Sequence, residues 1–172
     1  MKRTRWSPSF FVLTATFVVI SGEVAGASSS KLTADLVVIN KTSRNLKLFR
    51  NNEAIKTYKV TFGTAAPGRK TCEGDNRTPE GHYLIDRRNK TSRYHIALHV
   101  SYPNNDDTRR AREAGCSAGG DIMIHGIRDG FGWIGPFHRV VNWTRGCVAV
   151  TNAEIEEIAG AVPDGTPVVI NP

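Results

Sequence analysis

From residue 35 onward the chain is dominated by short runs in which apolar and polar residues alternate. A two-residue period marks strands that bury one face. Residues 35–40 (DLVVIN), 45–49 (NLKLF) and 54–62 (AIKTYKVTF) each read as a strand. Asn51-Asn52 supplies a turn, so these three predict an antiparallel meander. Residues 82–86 (HYLID) and 94–100 (YHIALHV) predict two more strands, 121–125 (DIMIH) a short one ending on a histidine, and 168–170 the last. Two stretches depart from alternation. Residues 105–114 are polar and helix-prone, with Gly115 suited to the C-terminal cap. Thr151-Asn152-Ala153-Glu154 has the spacing of a capping box and opens a helix reaching about Val162. The loop 63–81 is rich in glycine, proline and charge, and a loop of that length is uncommon without a function. Strands that do not alternate with helices predict a mostly-β fold, a sandwich or barrel-like set of mixed sheets with about two covering helices.

The amino-terminal pattern differs. Lys2, Arg3 and Arg5 precede an uncharged, mostly apolar run over residues 9–20, and Ala25-Gly26-Ala27 supplies the small residues of a signal-peptidase site. The run is short for a transmembrane helix. The expected organisation is therefore a signal peptide over residues 1–27, a short linker over 28–34, and one domain over 35–172, exported to the periplasm or cell envelope with no membrane span after cleavage. Of 172 residues, 40% are hydrophobic and 23% charged, which excludes wholesale disorder and a multi-span membrane protein. The formal charge of +7 falls by two on removal of residues 1–27 and stays basic. That balance suits anionic polymers, and export makes nucleic acid the least suited of them.

An exported chain with three cysteines leaves at least one unpaired. Cys72 and Cys116 lie in glycine-rich, loop-like surroundings; if they pair, Cys147 is the free thiol. Oxidising compartments tend to eliminate idle thiols, although a buried, inert cysteine is the alternative. A cysteine attacks carbonyls as thiolate and needs a base, most often histidine. His125 ends a predicted strand and precedes Gly126, so its ring can face a cleft from a sheet edge. Gly146 lets the backbone bend before Cys147, and the bend can aim the amides of Gly146 and Cys147 at a developing oxyanion. His138 is a rival base. His95 and His99 share one face of a strand without the spacing of a zinc site, so structural or cleft-lining roles are expected and no metal. Trp133 and Trp143 bracket the spacer as core or lid. Taken alone, the His125–Cys147 pair leaves catalytic and structural readings open.

The wider pattern resembles the L,D-transpeptidase catalytic domain of the YkuD type, a family of bacterial cell-wall enzymes. Ile124-His125-Gly126 and Thr144-Arg145-Gly146-Cys147 match its His-Gly and Ser/Thr-x-Gly-Cys elements, and Thr78-Pro79-Glu80-Gly81 its T-P-x-G turn. GDNRTPEGHYLID, GGDIMIHG and GCVAVTNAEIEEI are similar to the compact YafK-like branch. The resemblance implies a catalytic domain over residues 35–172 that performs a two-step acyl transfer without cofactor. Cys147 would attack a diaminopimelate carbonyl in a peptidoglycan stem peptide and form a thioester. His125 would accept the thiol proton and return it to the leaving amine, and an amine from a second stem would resolve the intermediate. Two alternatives accompany this: a cysteine amidase of the same fold that passes the acyl group to water, cutting a stem-peptide or murein-lipoprotein bond, and a non-catalytic wall-binding module. An enzyme is expected to hold a thiol unusually reactive near neutral pH. Two positions depart from the family. Arg145 stands where a second histidine is usual, and Ala149 where arginine or asparagine is. Arg145 or Arg139 can replace the lost carboxylate anchor. Thr144, Gly126, Tyr94 and Arg93 complete the candidates for substrate contact.

Overall fold

The computed structural model describes residues 33–65 and 67–172, so the expected signal peptide lies outside the described residues. Alternation becomes strand where it was expected. In β1 (Leu36–Asn40) Val37 and Ile39 are fully buried, and in β2 (Asn45–Arg50) Leu46 and Leu48 are. β3 (Glu53–Lys59) ends the sheet with Lys56 and Lys59 exposed, charges that discourage edge-to-edge pairing. β1 and β2 pair antiparallel, as do β2 and β3, which gives the meander. β4 (Gly81–Ser92), β5 (His95–Val100), β6 (Met123–His125), β7 (Val148–Ala149) and β8 (Pro167–Asn171) complete an eight-stranded mixed sheet in the order β3-β2-β1-β8-β4-β5-β6-β7. Among the described strands the β1–β8 and β6–β7 pairs are parallel and the rest antiparallel.

β4 joins the two halves of the sheet. Its first residues pair with β8 and the rest with β5, with irregular register. The expected strand stopped at residue 86, because residues 87–92 (RRNKTS) are polar on both faces. Pairing with β5 extends it, and Arg88 anchors it: the guanidinium donates to Ala159 O and Val162 O and pairs with Asp164 at 2.7 Å. These carbonyls belong to the end of helix α2 (Asn152–Ala161), so Arg88 also caps that helix.

α2 begins at the expected capping box, Thr151 with Glu154, and buries Ile155, Ile158 and Ala161. α1 (Asn105–Glu113) is capped by Asn104, and its buried Asp107 accepts hydrogen bonds from the Tyr83 hydroxyl at 2.9 Å and from Arg110. A third helical element, a 3-10 segment at Gly132–Arg139 broken at Gly135, and the two-residue β7 were not expected. Ala34, placed in the linker, is buried, and its amide donates to Ala161 O. The Cys72 and Cys116 sulfurs are bonded and Cys147 is free.

The long loop is stapled down from two sides. Lys41 Nζ meets Glu80 at 2.6 Å and donates to Gly68 O and Thr78 O, with both side chains of the ion pair largely out of water. Lys70 pairs with Asp75 at 2.8 Å, and the Asp75 carboxylate also accepts the amides of Thr71, Cys72 and Arg77. Burial by itself pushes the Asp75 carboxyl up, but these donors outweigh it and hold the carboxyl below its usual range. Removing one partner of a buried pair leaves the other uncompensated. Lys41→Met is therefore expected to lower unfolding free energy by about 3 kcal/mol, read as a shifted midpoint in urea denaturation; a change within error would show that water already solvates Glu80.

Candidate active site

β6 and β7 run parallel, with Ile124 opposite Val148 and His125 opposite Ala149. One step back in that register, Met123 is level with Cys147. Residues two apart on a strand share a face, so His125 and Cys147 project the same way. Both line one cleft of about 730 Å³, together with Tyr94, Trp143 and Arg145. The structure thus brings the expected pair into a single concavity.

His125 is buried, and its Nδ1 lies 2.6 Å from Gly126 O. A carbonyl only accepts, so the neutral ring carries its proton on Nδ1 and leaves Nε2 bare for a substrate or thiol proton. Burial lowers the imidazole pKa, and the Gly126 hydrogen bond offsets only part of that. Tyr94 and Trp143 hold the ring, with centroids at 4.6 and 5.7 Å. Gly126 itself does not meet the cleft. A Cβ there would lie 2.7 Å from Asn152 Oδ1 and 3.0 Å from Tyr94 O, so the position needs glycine for close packing rather than substrate contact.

The turn before Cys147 is clamped by Thr144. Its hydroxyl donates to Cys147 O at 2.7 Å and accepts the Gly146 amide at 3.2 Å. Thr144 lines the cleft but is buried with its hydroxyl committed to the turn, so that hydroxyl shapes the Cys147 backbone. The Gly146 amide already has an acceptor, so it meets an oxyanion only by giving up that bond. Gly146 takes φ +124°, and a Cβ on it would come 2.6 Å from Arg77 O. The long loop thus presses against the turn before Cys147.

The Cys147 sulfur lies 3.6 Å from Asp121 O, and the Met123 amide points at it. Burial raises the thiol pKa; the Met123 amide opposes this, the Asp121 carboxylate adds to it, and Lys70 opposes. Burial thus favours a neutral thiol and a neutral imidazole in the resting cleft.

The other candidates separate cleanly. His138 accepts the Trp143 indole N–H on Nδ1 at 3.4 Å, which places its own proton on Nε2 and leaves no lone pair. Burial, then the Arg139 charge, push its pKa down to about 4, so it stays neutral without serving as a base. His95 pairs with Glu156 at 2.6 Å and His99 with Asp86 at 2.5 Å. Arg139 is spent on Glu154, whereas Arg145 is exposed in the cleft. Trp143 is cleft wall and Trp133 is 83% exposed. Arg128 and Asp121, which sequence reading passed over, line the cleft too.

A sequence model of the YkuD family, described as the L,D-transpeptidase catalytic domain, matches residues 34–170. The chain belongs to this family. The domain is 29% identical over 143 residues to "Putative L,D-transpeptidase YafK" of Escherichia coli K12, covering 77% of this chain and 50% of that one. The crystal structure of a K307A mutant of the helical cell shape determining protein Pgp2 from Campylobacter jejuni superposes with a TM-score of 0.62 at 29% identity, over 81% of this chain and 47% of that one. An L,D-transpeptidase from Xylanimonas cellulosilytica shares the fold at 14% identity, with a TM-score of 0.54 over 82% of this chain and 62% of that one. The chain thus spans about half the length of the YafK and Pgp2 relatives it matches.

Gly146→Ala forces a side chain into the Arg77 carbonyl at a positive φ. It is expected to cost about 2 kcal/mol or more of stability and to slow alkylation of Cys147 by iodoacetamide; thermal unfolding and intact-mass kinetics measure the two effects.

Proposed function

We propose that the protein is an exported cysteine acyltransferase that remodels peptidoglycan stem peptides. The observation that carries this reading is one cleft holding both the Cys147 sulfur and an imidazole whose Nδ1 is locked on a carbonyl, leaving Nε2 as the open nitrogen. Cys147 attacks the carbonyl of the diaminopimelate residue as His125 Nε2 takes the thiol proton. The amine leaves with that proton, and a thioester remains. An incoming amine, losing its proton to His125, then displaces the sulfur and restores the thiol. Starting from a neutral pair suits this cycle, because base and acid are the same nitrogen in alternate steps. Export is supported by the amino-terminal pattern and by the bonded Cys72 and Cys116, since disulfides persist in oxidising compartments. On this reading residues 1–27 are removed.

Arg145 and its neighbours Arg93 and Arg128 give the cleft a cationic wall suited to stem-peptide carboxylates, and Arg145 takes the place of the missing carboxylate anchor. The cleft is also open to water, so the same thioester serves transfer or hydrolysis according to which acceptor arrives first.

Purified protein mixed with tetrapeptide stems, cross-linked stems and lipoprotein-bearing wall fragments, followed by mass spectrometry, reads both outcomes. Cys147→Ala is expected to abolish product, by about 10³-fold or more, while still binding the stem peptide; undiminished product would end the proposal. Wild-type protein is expected to gain one carbapenem adduct on Cys147, and no adduct after long incubation would count against an accessible acylating thiol. His125 must be neutral to accept a proton, and burial lowers its pKa. The acid limb of kcat/KM is therefore expected below the ordinary imidazole value of 6.5, activity falling only as pH drops through that lower value; a limb above 6.5 would contradict the buried geometry.

A further inference from the structure

The cleft's charges are unevenly divided. Arg93, Arg128 and Arg145 are exposed and have no carboxylate partner among the described residues, while Asp121 is the one carboxylate in the lining. Asp121 is also the acidic residue beside the nucleophile, its own carbonyl 3.6 Å from the Cys147 sulfur. Its carboxylate is 84% exposed and loosely held, 3.4 Å from Arg87 Nη2 and 3.9 Å from His99 Nε2. His99 donates Nδ1–H to Asp86, so when neutral it presents a bare Nε2 to Asp121 and no hydrogen. Arg87 is itself 61% exposed. Asp121 thus remains free to bind a cation brought by the ligand. A cleft made for a plain polyanion would gain nothing from a carboxylate at its most sensitive point, where it repels the ligand. The arrangement fits a ligand end that carries an ammonium and a carboxylate together.

We propose that Asp121 is a specificity-determining residue that binds the ammonium of a free α-amino-acid end while the cleft arginines bind the carboxylate beside it. The inference rests on the stem-peptide reading and deepens it. It selects stem residues that are diamino diacids with one end unblocked. It also couples recognition to chemistry. The Asp121 carboxylate favours the protonated thiol, and an ammonium paired with it offsets that charge, so Cys147 loses its proton more readily once the correct ligand is seated.

Amide-shift titrations of the ¹⁵N-labelled chain with meso-diaminopimelate and with pimelate test this, since pimelate keeps both carboxylates and lacks the amines. Diaminopimelate is expected to bind about tenfold more tightly. Asp121→Asn, its fold checked by the same spectra, is expected to erase that preference and Asp121→Glu to restore most of it. A second arm compares turnover of stem peptides with the free amine intact or acetylated. Acetylation is expected to lower kcat/KM about tenfold in the wild type and to have little effect in Asp121→Asn. Preference retained in Asp121→Asn, equal affinity for the two diacids, or no diaminopimelate binding to the limit of solubility would each overturn the inference. An Asp121-dependent preference without any turnover would uphold it and refute the acyltransferase reading instead. Turnover with unchanged preference in Asp121→Asn would do the reverse.

Discussion

Two residue pairs, Ile124 with Val148 and His125 with Ala149, carry the parallel contact that puts a sulfur and an imidazole on one face of the sheet. β7 is only two residues long, so this contact has little hydrogen bonding of its own and depends on what presses on it. Thr61 bridges to Ala149 and Gly63 to Thr144 from the far side, while the Arg77 carbonyl fills the space where a Cβ of Gly146 would go. The loop that supplies Arg77 is in turn fixed by Lys41 on Glu80, Lys70 on Asp75, and the bond from Cys72 to Cys116. A chain of close contacts thus runs from buried ion pairs to the backbone before Cys147. Loss of any one loosens the turn before it loosens the sheet, because the sheet's strands have their own buried apolar faces.

Burial sets the electrostatics of the site as firmly as it sets the geometry. Moving a thiol and an imidazole out of water disfavours the charged form of each, so thiolate and imidazolium are both costly at rest. The Met123 amide and Lys70 offset part of this for the sulfur. A neutral pair stores less reactivity than an ion pair, and it also shields the thiol from oxidants, since the thiolate is the reactive species. The cleft around the pair presents exposed guanidiniums and one carboxylate.

Much of this was legible in the sequence where one physical rule governs one segment. Val37, Ile39, Leu46 and Leu48 alternate with polar neighbours and are buried as alternation requires. Thr151 and Glu154 satisfy each other's backbone and begin α2 where their spacing says. The motif residues His125 and Cys147 were visible because Ile124-His125-Gly126 and Thr144-Arg145-Gly146-Cys147 follow the family pattern, which the pair alone does not specify. What stayed hidden depends on partners distant in sequence. Residues 87–92 carry no apolar signal and are strand because β5 pairs with them and Arg88 ties to α2. β7 is too short for periodicity to register. Gly126 and Gly146 look alike in sequence, yet one is required by Asn152 across a packed interface and the other by Arg77 at a positive φ. Asp121 reads as the polar first residue of a short strand until the fold sets its carbonyl 3.6 Å from the sulfur.

The choice between two histidines shows how the fold assigns chemistry to identical side chains. His125 and His138 both flank the Trp143 ring, at centroid distances of 5.7 and 6.2 Å, and both are buried enough to remain neutral. Neither burial nor pKa direction separates them. The difference lies in what each Nδ1 meets. Against His125 stands a carbonyl, which takes the Nδ1 proton and leaves Nε2 open. Against His138 stands an indole N–H, which takes the Nδ1 lone pair and forces the proton onto Nε2. One hydrogen bond of opposite polarity leaves one ring with an open Nε2 lone pair and the other with an Nε2–H donor. The Nε2 of His138 has no acceptor in its buried position, so that donor is an unmet demand beside the cleft rather than a catalytic resource.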